Sequence, residues 1–265
     1  MARPVIAVMS DFGTRNHYAG TMKAVALGIC PEATLVDLTH DIPPHDVLTA
    51  SLELAASYRY FPAGTVFLVV VDPGVGSVRR GLAAETSEFR FVAPDNGVLT
   101  AVLRETPPRA VVELTERRYA RASVSRTFEG RDRFAPAAGW LAKGIKLTAL
   151  GRPAGDYVTI DIPEPEVSGD RIRGEVLQVD HFGNLVTNID RKSFERLARS
   201  ASISLVVGDH PVARFVDTYA EGTSGEVCAL IGSTDHVEIA LNSGSAAAEL
   251  GLGPGAEVTI SRDTR

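Results

Sequence analysis

The first 160 residues alternate short apolar runs with longer segments that carry apolar residues at helical spacing. Residues 5–9, 34–38 and 65–71 predict strands, and the last run is almost wholly apolar, as expected of a strand buried on both faces. Residues 18–29 and 46–60 predict helices between them. The remaining elements predicted here are a hairpin of 81–85 and 89–92, helices over 98–104 and 132–143, and a strand over 110–114. This pattern is typical of an α/β domain with a sheet flanked by helices.

The pattern changes after residue 159. Residues 160–166 (IDIPEPE) carry two prolines and three acids and predict an extended connector. Only residues 192–199 look helical beyond it, and short strand-like runs separated by Gly, Asn, Asp and Pro make up the rest. These runs are 172–179, 185–189, 203–207, 212–216, 226–231, 236–241 and 256–261. We therefore predict an α/β domain over 1–160, a linker over 161–172 and a smaller all-β domain, a barrel or a sandwich, over 173–265.

The composition of the chain excludes several classes of molecule as binding partners of this protein. Lys and Arg number 27 against 33 Asp and Glu, so the net charge is -6 and no overall basic field is available to hold nucleic-acid phosphates. The two cysteines, Cys30 and Cys228, show no CxxC or CxxH spacing, so the sequence predicts neither a disulfide framework nor a zinc site. This use of cysteine is typical of a protein from a reducing cytoplasm. No apolar run approaches the length of a membrane span, and the N-terminal segment lacks the pattern of a signal peptide.

Two acidic residues follow predicted strands, where open α/β sheets bind their ligands. Asp11, in the segment MSDFGT, could accept hydrogen bonds from both hydroxyls of a ribose or could cap the following helix. A metal-dependent aspartyl nucleophile of the DxDGT type is disfavoured because Gly13 stands where the second acid is needed.

The second acid is Asp72, in the segment VDPGVGSVRR. A dinucleotide-binding GxGxxG pattern would need glycine at Arg79, so a nicotinamide cofactor is disfavoured. The glycine-rich turn can instead fold Arg79 back towards Asp72, either as part of a site or as a purely structural ion pair.

Four further segments carry polar or aromatic side chains in short turns. In TFEGRDRFAP, Glu129 and Asp132 could serve chemistry or cap a helix N-terminus. The segment DHFGN at 180–184 combines an acid, an aromatic ring and an amide, a set that can grip a purine or an amino-acid head group but also suits a plain hairpin turn. Segments 232–234 and 242–244 offer hydrogen-bond donors at the two ends of one strand.

Taken in order, seven segments resemble the S-adenosylmethionine hydrolase (adenosine-forming) family, also called S-adenosylmethionine hydroxide adenosyltransferases, which is related to the fluorinase and chlorinase. The segments are MSDFGT at 9–14, CPEATLVDLTHDIPPHD at 30–46, VVDPGVGSVRR at 70–80, APDNGVLT at 93–100, TFEGRDRFAPAA at 127–138, DHFGNLVTNI at 180–189 and NSGSAA at 242–247. The resemblance implies an N-terminal α/β domain, a C-terminal β-barrel and a homotrimer. It also implies active sites between the N-terminal domain of one subunit and the C-terminal domain of its neighbour.

The activity implied by the resemblance is attack of water or hydroxide at the ribose C5′ of S-adenosyl-L-methionine, which releases adenosine and L-methionine. The reaction needs no metal and no redox cofactor, because the sulfonium already makes methionine a good leaving group. Asp72 and Arg79 are implied members of a water-binding triad. Glu129 occupies the third position, where the family pattern TFHGRD has histidine. Two acids beside one water can share a proton, so we expect Glu129 to accept a hydrogen bond from the water.

The resemblance also assigns the substrate contacts. Asp11 corresponds to the acceptor of the ribose hydroxyls, and Asp180 is expected to face the methionine ammonium. The other implied contacts are Phe182, Asn184, Phe128, Tyr219, Ser233 and Ser243. His45 stands where the fluorinase has a tryptophan over the sugar, so stacking there is expected to be weaker.

Two alternatives keep the same fold. A halide adenosyltransferase would use a halide in place of water, but the carboxylate of Asp72 should repel an anion, and the stretch from 79 to 96 lacks the insertion associated with halogenases. An adenosine-binding or sensing protein that has lost catalysis is the other alternative, motivated by Glu129 in the histidine position.

Overall fold

The computed structural model describes residues 3–199 and 202–262, and the chain divides into two compact units, Met1–Asp161 and Ile162–Arg265. The first unit holds seven strands and four α-helices among its described residues. In chain order they are β1 (Val5–Ser10), α1 (Tyr18–Ile29), β2 (Thr34–Thr39), α2 (Val47–Ser57), β3 (Val66–Val70), β4 (Gly81–Glu85), β5 (Arg90–Pro94), α3 (Thr100–Glu105), β6 (Ala110–Leu114), α4 (Ala135–Ala142) and β7 (Gly151–Pro153).

One mixed sheet organises this unit, in the order β2-β1-β3-β5-β4-β6-β7. The pairs β1/β2, β1/β3 and β3/β5 are parallel, and β4/β5, β4/β6 and β6/β7 are antiparallel. The predicted α/β class is confirmed, and so is the predicted hairpin, which forms the pair β4/β5.

Helices cover both faces of the sheet, and alternate strand residues serve the two cores. Ile6 and Val8 of β1 belong to the core that includes Met22 of α1 and Leu141 of α4. Ala7 and Met9 belong to the opposite core, whose members include Leu54 of α2 and Val102 of α3. All five residues of β3 are buried, which confirms the two-sided burial predicted from its apolar run.

Two predicted helices of this unit are shorter than expected. The helix predicted over 46–60 begins after Asp46, whose carboxylate accepts the N–H of Thr49 at 2.9 Å, and ends at Ser57 before a 3₁₀ turn over Tyr58–Tyr60. The helix predicted over 132–143 is a π-helical turn over Gly130–Phe134 followed by α4. Such turns are frequent at functional sites.

The second unit is an antiparallel, nearly closed barrel. Its elements are β8 (Glu166–Ser168), β9 (Arg171–Val179), β10 (Leu185–Asp190), α5 (Arg191–Ala198), β11 (Ile203–Val207), β12 (His210–Val212), β13 (Val227–Ile231), β14 (His236–Leu241), α6 (Ala246–Leu250) and β15 (Glu257–Arg262). The strands follow the order β12-β11-β15-β9-β10-β14-β13, and β8 pairs with β9. A bridge between Phe215 and Ala229 brings the chain after β12 against β13, which joins the two ends of the sheet.

Three sequence expectations for this unit need correction or detail. The strand predicted over 212–216 is wrong, because β12 ends at Val212 and the following residues make only the bridge at Phe215. A second helix, α6, is present, although the sequence predicted only α5 in this region. The stretch predicted as a linker, 161–172, contains β8 and the first residues of β9.

Among the described residues, no helix has the length and apolar character needed to cross a membrane.

Candidate active site

The parallel strands of the first unit bring two predicted site residues, Asp11 and Asp72, to one edge of the sheet together with Asn96. Strands β1, β2, β3 and β5 run in the same direction, so their carboxyl ends share that edge. Asp11 follows β1 directly, Asp72 lies just after β3, and Asn96 lies just after β5. Asn96 reinforces the arrangement because its side-chain amide donates to the carbonyl of Val71 at 2.8 Å. This edge is where open α/β sheets bind ligands.

The carboxylate of Asp11 is oriented by a neighbouring loop. Its Oδ2 accepts the backbone N–H of His45 at 2.9 Å. His45 has φ +69°, a left-handed conformation that is uncommon outside glycine and that aims this N–H. Helix α1 begins after His17, and no side chain caps it. The capping alternative for Asp11 is therefore wrong, and the carboxylate belongs to the loop cluster at the sheet edge.

Asp72, Arg79 and Glu129 form one buried ionic cluster. Nε and Nη2 of Arg79 donate to the two carboxylate oxygens of Asp72, the former at 2.8 Å, and Nη2 also lies 2.8 Å from Oε2 of Glu129. The three side chains are only 5%, 9% and 12% exposed. The structure thus brings together all three residues that the sequence predicted as catalytic.

A tight turn delivers Arg79 to this cluster. The carbonyls of Asp72 and Gly74 accept the N–H groups of Val75 and Ser77, which folds the segment back on itself. Gly76 has φ +78°, and a Cβ at this position would lie 2.5 Å from the carbonyl oxygen of Arg126. Only glycine therefore permits the turn to pack against the loop that precedes Glu129.

The carboxylate of Glu129 contacts two arginines, Arg79 and Arg133. Besides Arg79, its Oε2 contacts Nη1 of Arg133 at 3.3 Å, and its side chain makes no capping hydrogen bond to the π-helical turn. Glu129 therefore occupies the N-terminal position of this turn, as the capping alternative expects, but does not cap it with a side-chain hydrogen bond. Asp132 is the structural acid of this segment: it is fully buried and is bonded by Arg131 and by the N–H of Ser125.

Burial raises the pKa of the Asp72 carboxyl, and the nearby charge of Glu129 raises it further, while the bonds from Arg79 oppose the shift. The guanidinium also lies over the ring of Phe134, with Cζ 5.1 Å from the ring centroid. The cluster therefore holds two acids in contact with Arg79, with Arg133 also in contact with Glu129, and the Asp72 carboxyl has a pKa above its ordinary value.

Aromatic side chains link the two loops of this site. Phe128 is buried, and its ring meets Phe12 at 6.0 Å and Tyr18 at 5.3 Å, both edge to face. Sequence reasoning named Phe128 but missed Phe12 and Tyr18. The signal available for Phe12 was its place beside Asp11 in the segment MSDFGT.

In the second unit, the turn at 180–184 is built around Asp180. Its Oδ1 accepts the N–H groups of Phe182 and Asn184, each at 2.8 Å, and its Oδ2 accepts the side-chain amide of Asn184. The turn leaves the Phe182 ring 74% exposed. Asp180 thus stabilises the turn through its hydrogen bonds, as the plain-turn interpretation predicts. The exposed ring of Phe182 is accessible to a ligand.

The turn at 180–184 packs directly against the segment that starts α6. Gly183 has φ +84°, and a Cβ there would lie 2.0 Å from Oγ of Ser245, the residue that caps α6. Ser243, also in a left-handed conformation, is two residues away in this segment. The side-chain amide of Asn242 donates to the carbonyl of Gly222, which ties the segment to the 3₁₀ turn that begins at Tyr219.

Glu238 is a buried acid of this region that sequence reasoning missed. It is 5% exposed, and its Oε2 accepts the hydroxyl of Tyr219 at 2.7 Å. Burial raises the pKa of Glu238, Asp180 raises it further, and the Tyr219 bond opposes the shift. Burial and the bond to Glu238 likewise raise the pKa of Tyr219. Gly232, next to the exposed Ser233, lies against the Glu238 carboxylate. Asp180, Tyr219, Ser233 and Ser243 are thus brought into one region of the barrel.

No group of three or more His, Cys, Asp or Glu side chains within 3–199 and 202–262 is placed to hold a metal ion.

Two family models together cover most of the chain. The SAM hydroxide adenosyltransferase N-terminal domain matches residues 6–151, and the C-terminal domain of the same family matches residues 174–259. The chain belongs to this family. The order of the two matches agrees with the resemblance drawn from the sequence motifs.

Individual relatives share nearly the whole length of the chain. An (R)-S-adenosyl-L-methionine hydrolase from Salinispora tropica is 38% identical over 260 residues, covering 97% of each chain. A fluorinase from Actinoplanes sp. is 29% identical over 291 residues, covering 98% of each chain. A crystal structure of an uncharacterized conserved protein from Thermotoga maritima superposes with a TM-score of 0.92 at 36% identity, covering 97% of this chain and 100% of the other.

Proposed function

We propose that this protein hydrolyses S-adenosyl-L-methionine to adenosine and L-methionine. The observation that carries the proposal is the buried cluster of Asp72, Arg79 and Glu129 at the carboxyl edge of the parallel strands. Membership of the SAM hydroxide adenosyltransferase family and the full-length similarity to named S-adenosyl-L-methionine hydrolases support the substrate.

The chemistry requires activation of the nucleophile more than of the leaving group. Water is a poor nucleophile, with a pKa near 15.7, so the site must orient it in line with the C5′–S bond and accept its proton. In our proposal the oxygen of water bonds to C5′ while the C5′–S electron pair returns to sulfur as a neutral thioether. The Asp72 carboxylate accepts the proton, and Arg79 stabilises the developing hydroxide character. The raised pKa of Asp72 makes this carboxylate a stronger base than an exposed aspartate.

Glu129 acts, in this proposal, as a second acceptor for the same water. Its Oε2 shares Nη2 of Arg79 with Asp72, so the two acids flank one guanidinium. Like charges in a secluded site favour the sharing of a proton, and the ionised member of the pair serves as the base.

The remaining predicted residues bind the substrate. Asp11, held by the His45 N–H, accepts both ribose hydroxyls, and Asp180 lies beside the methionine ammonium. His45, Phe128, Phe182, Asn184, Tyr219, Ser233 and Ser243 supply further contacts, and the exposed ring of Phe182 suits stacking on a base. We further propose a cytoplasmic homotrimer that shares each site between the N-terminal domain of one subunit and the C-terminal domain of a neighbour. The reaction uses no cofactor.

Product chromatography tests the proposal. Incubation with S-adenosyl-L-methionine should yield equimolar adenosine and methionine, and Asp72→Asn should lose most of this activity while retaining the fold. Absence of both products over a broad pH range would overturn the hydrolase assignment. Adenosine binding by calorimetry without turnover would instead favour a sensing protein.

The fluorinase relatives favour one second candidate, a halide adenosyltransferase. The buried carboxylates of Asp72 and Glu129 argue against it, because a halide beside them would be repelled. Formation of 5′-chloro- or 5′-fluoro-5′-deoxyadenosine in halide buffer would reverse this judgement.

A further inference from the structure

A chain of hydrogen bonds runs from the surface to the turn that carries Asp11. Nζ of Lys23 contacts both carboxylate oxygens of Asp37, at 3.1 and 2.9 Å. Oδ1 of Asp37 lies 3.1 Å from Nε2 of His40, and Nδ1 of His40 lies 2.7 Å from Oγ of Ser10. Ser10 is fully buried and directly precedes Asp11, so the chain ends at the proposed ribose site.

A bulge in β2 lies between Asp37 and His40. Val8 pairs with Asp37 but Met9 pairs with Thr39, so the register skips Leu38. Asp37 precedes the skipped residue and His40 follows the end of β2, and both contribute to one hydrogen-bonded chain beside the bulge, a feature common near active sites.

His40 holds the turn at both ends. Its ring contacts Ser10 before Asp11, and its backbone carbonyl accepts the N–H of Gly13 at 2.8 Å after Asp11. We propose that His40 is a positioning residue that fixes the Ser10–Gly13 turn so that the Asp11 carboxylate meets the ribose hydroxyls. This inference rests on the ribose role of Asp11 within the proposed function.

The ionised carboxylate of Asp37 fixes the direction of the bonds that it makes to Lys23 and His40. Burial raises the pKa of Asp37, but the bonds from Lys23 and His40 outweigh it and lower the pKa below its usual value. An ionised carboxylate only accepts, so Nε2 of His40 donates to Asp37. Nδ1 of His40 and Oγ of Ser10 share the next hydrogen bond, and Oγ of Ser10 also accepts the N–H of Phe12, which lies 3.4 Å away.

The same residue types form nucleophilic triads in hydrolases, but this geometry does not suit that role. Ser10 is fully buried, whereas the Asp37 side chain is 48% exposed. A nucleophile must reach the substrate, and here the serine is enclosed while the acid faces solvent. The arrangement fits a support for the turn, with its ionic anchor at the surface.

A comparison of ligands with and without ribose hydroxyls tests the proposal. Calorimetry would measure the Kd of adenosine and of 2′,3′-dideoxyadenosine for the wild type, Ser10→Ala, His40→Ala and His40→Asn, with Asp11→Asn as the reference. Ser10→Ala should weaken adenosine binding by about tenfold, the size of one net hydrogen bond, and change dideoxyadenosine binding by less than about twofold. His40→Asn places an acceptor near the position of Nδ1 and should retain more adenosine affinity than His40→Ala.

Ser51→Ala is the matched control, because Ser51 is equally buried and its Oγ accepts one N–H, from Ala101, away from this turn. It should leave both affinities unchanged. If Ser10→Ala and His40→Asn each weakened the binding of adenosine and of 2′,3′-dideoxyadenosine equally, the positioning role of His40 would be overturned. Such a result would mean that His40 and Ser10 only stabilise the fold.

Failure of the proposed function gives a different result. If the wild type bound adenosine and its dideoxy analogue equally, the ribose role of Asp11 would be lost, and this inference with it. If the wild type distinguished the two ligands but did not turn over the sulfonium substrate, the hydrolase assignment would fail while the positioning role stood.

Discussion

At the scale of single residues, the site depends on two carboxylates that share one guanidinium. Arg79 is bidentate to Asp72 and reaches Glu129 through the same Nη2 atom. Arg133 also contacts Glu129, so its positive charge offsets part of the negative charge of the two acids. The carboxylate of Asp72, which is almost closed to solvent, can accept a proton from a bound water and opposes the entry of an anion beside it.

Glu129→Ala should lower kcat more than it raises KM. In our account Glu129 contacts the attacking water and not the substrate, so its removal weakens an interaction used in the transition state. Steady-state kinetics with S-adenosyl-L-methionine measures both constants. Wild-type activity in Glu129→Ala would remove Glu129 from the mechanism. A large gain in Glu129→His would show that the natural residue is an attenuated substitute for histidine.

Glu129→Gln should move the acid limb of the kcat/KM profile to lower pH. The reaction needs an ionised carboxylate at Asp72, so the rate falls as the pH drops through the raised pKa of this group. Replacing Glu129 by a neutral isostere removes a charge that raises this pKa, and the pKa should fall. The pH dependence of the variant, measured beside the wild type, checks the sign. An unchanged acid limb would show that the charge of Glu129 does not raise the pKa of Asp72.

At the level of elements, one turn in each unit depends on a glycine with little space around it. The turn at 180–184 packs so closely on Ser245 that a side chain at Gly183 has no room. Gly76 has the same function in the turn that carries Arg79.

Gly183→Ala should destabilise the fold by about 2–4 kcal/mol, the sum of the cost of a left-handed alanine and that of overpacking. Gly225→Ala is the matched control, since Gly225 has φ +79° but has nothing within 4 Å of the added Cβ. It should cost about 1 kcal/mol for the backbone conformation alone. Urea unfolding of the full chain measures both. Equal losses in the two variants would show that the contact with Ser245 adds nothing.

Prediction of elements from the sequence succeeded where periodicity or a long apolar run was strong. Tyr18–Ile29 and the buried strand β3 were predicted almost residue by residue. Prediction failed where tertiary contacts determine the local structure. Helix α6 has only five residues, too few to show a helical period, and Ser245 and Gly251 delimit it. The register skip at Leu38 leaves no local signal, because the bulge depends on pairing with β1.

At the scale of the whole molecule, the chain has an α/β unit with the ionic cluster and a barrel unit with the Asp180 turn. Residue types and motif order were enough to name Asp72, Arg79 and Glu129 from the sequence. The sequence could not show that the two acids share one arginine nitrogen, since that contact depends on how Gly76 packs against Arg126. Glu238 was missed because no motif surrounds it, and only its burial marks it.

Subunit mixing tests the proposed sharing of sites. Asp11→Ala and Asp180→Ala should each be nearly inactive alone, because each removes one side of the site. After subunit exchange, mixed trimers should regain part of the activity, since some sites then combine two intact surfaces. Turnover measured before and after exchange gives the result. No recovery in trimers shown by mass spectrometry to be mixed would place each site within a single chain.

In the proposed mechanism water attacks C5′ of the ribose, and turnover in ¹⁸O-labelled water reveals which bond the new oxygen enters. Mass spectrometry of the products should place the heavy oxygen in adenosine, at the 5′ hydroxyl, and none in methionine, because the C5′–S bond is the one that breaks. Adenosine without the label, or label in the amino-acid product, would contradict the account.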